Sequence, residues 1–174
     1  MAFRQFDGDE ISTTLADLKS WMQPFLKKGV VCPCCKKNSR VYTRKLTHYL
    51  SVPLIIGWRA AGIGEWIAFK DLLAPLAEDE DIGKWFEKVL KREAWWRLAE
   101  WQLVVPEVSK SKKCRFAITA LGEQFVKGEV KVPAHYYEYN RKNVGWMWLG
   151  DEEIKYITIV DSLGKQFNWK DLMP

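Results

Sequence analysis

Two short β-like runs on either side of a lysine-rich segment constrain the fold of this 174-residue chain more than any other feature. The runs cover residues 103–105 and 115–118 and consist largely of apolar residues. A helical pattern ends just before the first run. Thr119 can cap a further helix directly after the second run, and Gly128 can end that helix. Strands placed so closely between helices predict a mixed α+β domain.

Apolar residues recur at helical spacing in two further stretches, residues 12–27 and 82–101. Ser12 or Thr13 can cap the first stretch, and Gly29 can end it. The second stretch is predicted to bury one broad side. The predicted buried side chains are Trp85, Phe86, Val89, Leu90, Trp96 and Leu98.

The remaining patterns predict short elements. Residues 47–61 form an apolar segment with Pro53 inside it and glycines after it. Residues 66–69 resemble a strand, and residues 70–77 resemble a short helix. Three β-like runs, residues 136–139, 144–148 and 154–160, predict a C-terminal meander with turns at 141–143 and 150–151. A turn and a short helix over residues 161–173 close the chain.

Composition restricts the class of protein. Hydrophobic residues make up 48% of the chain and charged residues 28%, which supports a buried core and excludes extensive disorder. No apolar run reaches the roughly 18 residues that a spanning helix requires, so no membrane association is expected. Residues 1–10 are too polar for a secretory signal. The crowding of Cys32, Cys34 and Cys35 is unlike an extracellular disulfide framework, which predicts a cytoplasmic protein with reduced thiols.

Positive charge is concentrated in two places, although the formal net charge is only +5. The first patch spans residues 27–45 and has no acid; its seven cations are Lys27, Lys28, Lys36, Lys37, Arg40, Arg44 and Lys45. The second patch consists of Lys110, Lys112, Lys113 and Arg115. One basic stretch is often only a solvated face. Two on a small domain favour a polyanionic partner.

The order helix, strand, helix, helix, strand, basic loop, strand over residues 47–128 resembles winged helix-turn-helix proteins. Residues 95–104 resemble the end of the recognition helix, and residues 116–126 resemble the strand and helix after the wing. Ile118, Thr119 and Gly122 match an Ile-Thr-x-x-Gly element in which Thr caps the helix and Gly allows close packing. Gln102 departs from the pattern, because many of these proteins have Gly before the Leu.

This resemblance implies an α+β fold with a winged-helix core, an N-terminal helix and a small C-terminal antiparallel β-meander. The expected segments are residues 1–46, with the helix and the cysteines, residues 47–132, with the winged helix, and residues 133–174, with the meander. All three segments are expected to pack into one body.

A longer resemblance is to uncharacterised bacteriophage and prophage proteins. It rests on a Cys-Pro-x-Cys segment followed by Val-Tyr-x-Arg-Lys-Leu at residues 32–46, and on Phe-Val-x-Gly-Glu-x-x-Val-Pro at residues 125–133. The tail, residues 161–173, also matches, with an Asp-x-Leu-Gly-x-x-Phe pattern. The resemblance implies a phage context, and hence the host cytoplasm, without an assigned activity.

A winged helix implies duplex DNA as the partner, with a homodimer as one possible state. In this interpretation a helix enters or flanks the major groove, and a basic wing follows the phosphates. The expected contacts are Lys84, Lys88, Lys91 and Arg92 on the helix, Lys110, Lys112 and Lys113 on the wing, and Lys36, Lys37, Arg40 and Arg44 as additional phosphate contacts. Glu87, Glu93 and Glu100 on the same helix oppose uniform phosphate contact.

Cys32 and Cys35 have the spacing of a zinc knuckle. A structural zinc site requires four ligands, and the sequence has no second paired motif. The other soft candidates are Cys34, Cys114, His48 and His135. Bound zinc, free thiols and redox chemistry therefore stay open, although the following Lys-Lys-Asn-Ser turn disfavours a redox centre. No other cofactor is expected.

Catalytic signatures are missing from the sequence. It contains no serine nucleophile elbow, phosphate-binding loop or dinucleotide glycine pattern, and neither histidine lies in a catalytic motif, so the protein is not expected to be an enzyme. Ten tryptophans favour an alternative, a phage-encoded inhibitor or modulator of a host polymerase or anti-phage defence nuclease such as a CRISPR effector. The cluster Tyr136, Tyr137, Tyr139, Trp146 and Trp148 is compatible with core packing, a partner surface or base stacking.

Overall fold

The computed structural model describes residues 14–68, 92–107, 115–148 and 151–173 of this α+β protein. These residues group into two compact units. The first unit is formed by the described residues within 1–44 and 135–154. The second unit is formed by the described residues within 45–134 and 155–174. The chain is therefore not divided into the three consecutive segments that the sequence suggested. No helix within these ranges is long and apolar enough to cross a membrane.

The helices are α1 (Leu15–Met22), α2 (His48–Ala61), α3 (Arg92–Glu100), α4 (Ala120–Val126), α5 (Ile159–Leu163) and α6 (Trp169–Leu172). The strands are β1 (Val30–Val31), β2 (Asn38–Ser39), β3 (Val41–Lys45), β4 (Ile67–Ala68), β5 (Val104–Pro106), β6 (Arg115–Ile118), β7 (Val132–Pro133), β8 (His135–Tyr139), β9 (Lys142–Asn143) and β10 (Tyr156–Ile157). Short 3₁₀ turns follow α1 and α5. The predicted helix at residues 70–77 and the first half of the one at 82–101 lie outside the described residues.

The N-cap of α1 lies one or two residues after the predicted caps, Ser12 and Thr13. Thr14 is its N-cap, because its hydroxyl accepts the Asp17 N–H and the Asp17 carboxylate accepts the Thr14 N–H. Pro24 lies in the first turn of the following 3₁₀ segment, Gln23–Phe25, where its missing N–H costs no hydrogen bond. Gly29, with φ +96°, turns the chain into β1.

In the first unit, β8 is the central strand between β3 and β9. The hairpin between β8 and β9 turns at Asn140 and Arg141, which have φ values of 50° and 62°, as tight hairpin turns require. The turn therefore lies at residues 140–141 and not at the predicted 141–143, since residues 142 and 143 form β9. The predicted strand at 144–148 was wrong, because Gly145, with φ +123°, bonds its N–H to the Asn143 side chain and the regular strand ends.

The predicted three-stranded C-terminal meander was wrong beyond its first hairpin, because β8 and β10 belong to different sheets. Strand β8 joins β3, whereas β10 pairs with β7 in the second unit. The third predicted run is also shorter than expected, since a capping box between Thr158 and Asp161 starts α5. Tyr136 and Tyr137 point to opposite sides of β8, and both are buried, so both sides of that strand are covered.

The second unit is built around a three-stranded antiparallel sheet in the order β4–β6–β5. Helix α2 packs against α3, α4 and α5. Trp95 of α3 stacks on Phe116 of β6 with ring centroids 5.6 Å apart. The fully buried side chains of this unit include Leu54, Ile55, Trp95, Leu98, Leu103, Phe116, Ile118 and Phe125.

Trp96 does not lie on the buried side of its helix, contrary to prediction. It is 44% exposed, whereas Trp95 is 1% exposed. Adjacent helical residues point about 100° apart, so only one of two neighbouring tryptophans can face the sheet. Trp95 does so together with Leu98, one turn later.

The junction between β6 and α4 confirms the predicted helix cap. The Thr119 hydroxyl accepts the Gly122 N–H at 3.0 Å and donates to the Gln102 carbonyl at 2.6 Å. Gln102 has φ +60°, the left-handed conformation that glycine adopts most easily. Gln102 therefore departs from the expected Gly in residue type, but it adopts a backbone conformation that a glycine could also adopt.

Candidate nucleic-acid interface

The structure describes the side chains of four predicted DNA contacts, Lys36, Lys37, Arg40 and Arg44. Lys84, Lys88, Lys91, Lys110, Lys112 and Lys113 lie outside the described residues. Arg92 is the first residue of α3. The four described cations belong to the first unit, on and next to a single hairpin.

The cysteine hairpin consists of β1, β2 and the connecting residues 32–37. The Cys32 N–H bonds to the Lys37 carbonyl, and the Lys36 N–H bonds to the Cys32 carbonyl, each at 2.9 Å. These bonds hold Lys36 at φ +58°, which is uncommon for a residue with a side chain. Lys36 and Lys37 are both exposed at the turn. The hairpin therefore presents two adjacent ammonium groups to solvent.

Beyond the hairpin, Arg40, Tyr42 and Arg44 occupy alternate positions along the chain into β3 and share one side of it. The guanidinium carbons of Arg40 and Arg44 lie 5.6 and 5.2 Å from the Tyr42 ring centroid. The ring itself is 48% exposed. Tyr42 was not predicted from the sequence, although the spacing of Arg40, Tyr42 and Arg44 at i, i+2 and i+4 is the signal that could have identified it.

Arg44 is not free to contact a phosphate. Its Nε and Nη2 donate to the two carboxylate oxygens of Glu138, at 3.2 and 2.8 Å, and this ion pair raises the pKa of Arg44. By contrast, no carboxylate of the described residues pairs with Lys36, Lys37 or Arg40. Of the four predicted contacts whose side chains are described, Lys36, Lys37 and Arg40 therefore keep an unpaired positive charge.

A cavity of about 380 Å³ opens beside two of these cations, Lys37 and Arg40. Lys37 and Arg40 line it together with the amides Asn38 and Asn140 and the rings of Tyr42 and Tyr139. Cations suit phosphate oxygens, and amides and aromatic rings suit the edges and faces of bases. The chemistry of this cavity fits a nucleotide unit.

Lys27, another cation of the first basic patch, is neutralised by Asp151. The Asp151 carboxylate accepts the Lys27 ammonium at 2.9 Å and the Trp148 N–H at 2.8 Å. The Lys27 ammonium also lies 5.0 Å from the centroid of the Tyr137 ring. The Lys27 hydrogen bond, with smaller contributions from Tyr137 and Trp148, lowers the pKa of Asp151 to about 2. This cluster joins distant segments of the first unit.

We expect Asp151→Asn to lower the free energy of unfolding by about 1 kcal/mol at neutral pH, since solvent screens the partly exposed Lys27. The folded-state pKa of Asp151 is depressed, so this stability is present above the unfolded-state pKa and is lost as the pH falls toward 2. Urea unfolding of both proteins at neutral pH and near pH 2.5 measures the effect. The difference between them should shrink at the lower pH, and a constant difference would contradict the assignment.

At the base of the proposed wing, Arg115 of β6 forms a two-point ion pair with Glu107. Arg115 Nε and Nη2 donate to the Glu107 carboxylate at 2.8 and 2.6 Å, and the arginine lowers the pKa of Glu107. The second basic patch therefore loses the charge of Arg115. Its remaining cations lie within residues 108–114, which connect β5 to β6 in the sequence and are not among the described residues.

The candidate metal ligands Cys32 and Cys35 both lie on the cysteine hairpin. Backbone hydrogen bonds from Cys35 and Cys34, and the thiols of the same residues, lower the pKa of Cys32. The two histidines are engaged elsewhere, since His48 packs on Phe167 and His135 meets the Tyr137 ring edge-on. Within the described ranges, no three His, Cys, Asp or Glu side chains gather to hold a metal ion.

Comparisons with protein-family models, with curated protein sequences and with solved structures give no match to this chain. The resemblances to winged-helix and phage proteins stay predictions from the sequence. The positions of the free and neutralised cations, of the exposed aromatic rings and of the thiols are therefore the basis on which a function can be assigned.

Proposed function

We propose that this protein is a non-enzymatic, winged-helix nucleic-acid-binding protein of phage type whose partner is double-stranded DNA. The observation that carries the proposal is the strand order β4–β6–β5, with α2 before β4 and α3 immediately before β5. A winged helix needs this arrangement, in which two adjacent wing strands form a hairpin and the short first strand adds to its second arm.

The lysines of the wing follow from this arrangement. Strands β5 and β6 are antiparallel neighbours with Val104 opposite Ile118, so the sequence between them joins adjacent strand ends. That sequence contains Lys110, Lys112 and Lys113. Because Glu107 already neutralises Arg115, these lysines are the charges left to contact phosphates.

The cysteine hairpin supports a polyanionic partner independently. Lys36, Lys37 and Arg40 are exposed and have no acidic partner among the described residues, in contrast to Lys27, Arg44 and Arg115. Exposed cations without an acidic partner, on this hairpin and directly beside it, are suited to contact phosphates. We assign these three residues as sequence-independent contacts, and we exclude Arg44 from that role.

A second candidate function is a phage-encoded inhibitor or modulator that binds a host protein, in the host cytoplasm. The exposed side chains in the described part of α3 favour it, because they are Trp96 and Glu100 rather than cations. Trp66, which precedes β4 in the same unit, is 45% exposed. Exposed tryptophans are the side chains that most often dominate protein–protein binding energy.

Fluorescence anisotropy of labelled single- and double-stranded DNA across a salt series distinguishes the two functions. DNA binding predicts a micromolar or tighter Kd for duplex that weakens steeply as salt increases, since each phosphate contact releases counterions. Absence of duplex binding at low salt would reject it. An immobilised sample should then retain one host protein from a nuclease-treated lysate if the second function is correct.

A further inference from the structure

The cavity of about 380 Å³ beside the cysteine hairpin combines three kinds of side chain. Its volume lies within the range of roughly 300–1,000 Å³ that is common for small-ligand sites. Lys37 and Arg40 supply positive charge, and Tyr42 supplies an aromatic ring that is half exposed. Asn38 and Asn140 add amide donors and acceptors. These residues all belong to the first unit, so the cavity uses no residue of the proposed wing.

The positive charge of this cavity is left unopposed by the described residues that line it, because none of them is acidic. Glu138 precedes the lining residue Tyr139 in the chain, but Arg44 holds its carboxylate in a two-point ion pair at 3.2 and 2.8 Å. Lys37 and Arg40 therefore remain available to an anionic group of a ligand.

The amides of Asn38 and Asn140 are also available to a ligand, since neither forms a side-chain hydrogen bond within the described part of the chain. The backbone fixes the position of both residues. Asn38 pairs with Val31 in the cysteine hairpin, and Asn140 has φ +50° in the tight turn between β8 and β9. Side-chain amides can pair with the edge of a nucleobase, and an exposed aromatic ring can stack on its face.

We propose that this cavity binds one unpaired nucleotide of single-stranded DNA. The phosphate lies against Lys37 and Arg40, and the base lies beside the Tyr42 ring with its edge toward the two amides. A base can reach such a cavity only when it is outside a duplex stack, so the ligand is a single strand. The site rests on the proposed function for DNA as the polymer, but it involves neither the wing nor a duplex.

Cations next to the cavity favour a strand over a free nucleotide. Lys36 precedes Lys37 at the turn of the cysteine hairpin, and Arg141 follows Asn140 at the turn between β8 and β9. Both cations are exposed, and neither has an acidic partner among the described residues. A free nucleotide carries phosphate at one end, whereas a strand carries a phosphate on each side of the bound base. The two additional cations match those neighbouring phosphates.

Fluorescence anisotropy of a labelled oligothymidine tests the role of the ring. Tyr42→Ala should weaken binding of this single strand by roughly fivefold to a hundredfold, as expected for the loss of one base–aromatic stack. Tyr42→Phe keeps the ring and should bind like the unaltered protein. Tyr156→Ala is the matched control, because it removes an equally exposed tyrosine from the second unit and should leave the affinity unchanged.

Cys35 allows a second measurement on the unaltered protein. It lines this cavity, whereas Cys34 on the same turn lines a separate, largely apolar cavity of about 570 Å³. Both residues are exposed, so both thiols can be alkylated. Saturating oligothymidine should slow the alkylation of Cys35, measured by mass spectrometry, and leave that of Cys34 unchanged. Equal protection by thymidine monophosphate, at the same concentration of nucleotide units, would overturn the assignment of a strand.

Failure of this site and failure of the proposed function give different results. The site is overturned if oligothymidine does not bind, if Tyr42→Ala binds it as tightly as Tyr156→Ala does, or if Cys35 is not protected. Each of these results leaves the affinity for duplex DNA unaffected. If duplex DNA does not bind, but oligothymidine binds in a way that depends on Tyr42 and protects Cys35, then the site stands and the duplex-binding function fails.

Discussion

Gly122→Ala is expected to destabilise the second unit by about 3 kcal/mol, because the added methyl group has no space. A Cβ at this position would lie 2.1 Å from the Leu103 carbonyl oxygen and 3.0 Å from Ile118 Cγ2. The oxygen belongs to the backbone and cannot rotate away. It also accepts the Thr119 N–H at 3.1 Å, so moving the helix would break the bond that fixes its start.

Urea unfolding monitored by tryptophan fluorescence measures this loss. Gln124→Ala is the matched control, since Gln124 is exposed on the same helix and its truncation should change the free energy of unfolding by less than about 0.5 kcal/mol. If Gly122→Ala cost no more than the control, then α4 would not be in close contact with the Leu103 backbone. That result would remove the close packing which the Ile-Thr-x-x-Gly element implied.

Local signals in the sequence predicted local structure well. Thr119 caps α4, Gly128 follows it with φ +76°, and Gly62 ends α2 with φ +77°. Gly122 packs closely against the backbone of Leu103, just before β5, which agrees with the close packing that the resemblance implied. Each of these features depends on residues that are neighbours in the chain or on a conformation that few residue types adopt.

Long-range pairing could not be predicted from the sequence. Strand β8 pairs with β3, some ninety residues earlier, and nothing in the alternation of either run identifies the other as its partner. The same limit affected the candidate site. Seven cations without an acid between them suggested a uniformly basic surface, but Glu138 and Asp151 neutralise Arg44 and Lys27 from the other end of the chain.

Adjacent aromatic residues caused the remaining error. Trp95 and Trp96 are equally apolar, so helical periodicity could not decide which of them faces the core. The answer depends on β6, where Phe116 stacks on Trp95 and meets Trp96 only edge-on. Because neighbouring helical residues point about 100° apart, the choice determines which of the two tryptophans is exposed on α3.

Replacing Lys110, Lys112 and Lys113 together by alanine should reduce the salt dependence of duplex binding by about 2.7 in log–log slope, because each lost phosphate contact removes about 0.9. Near 0.1 M salt this corresponds to a loss of affinity on the order of a hundredfold. Anisotropy across the same salt series measures the slope. The effect is expected to be large, since Arg115, the described cation of this patch, is already paired with Glu107.

The matched control removes the same net charge elsewhere in the second unit, through Lys155→Ala, Lys165→Ala and Lys170→Ala at exposed positions. If the position of the charges matters, this triple variant has the same salt dependence of duplex binding as the unaltered protein, whereas the wing variant has a weaker one. Equal flattening in both would mean that net charge alone drives binding. An unchanged slope in the wing variant would remove residues 108–114 from the interface. The exposed cations at the cysteine hairpin, Lys36, Lys37 and Arg40, would then be the next candidates, because none of them has an acidic partner among the described residues.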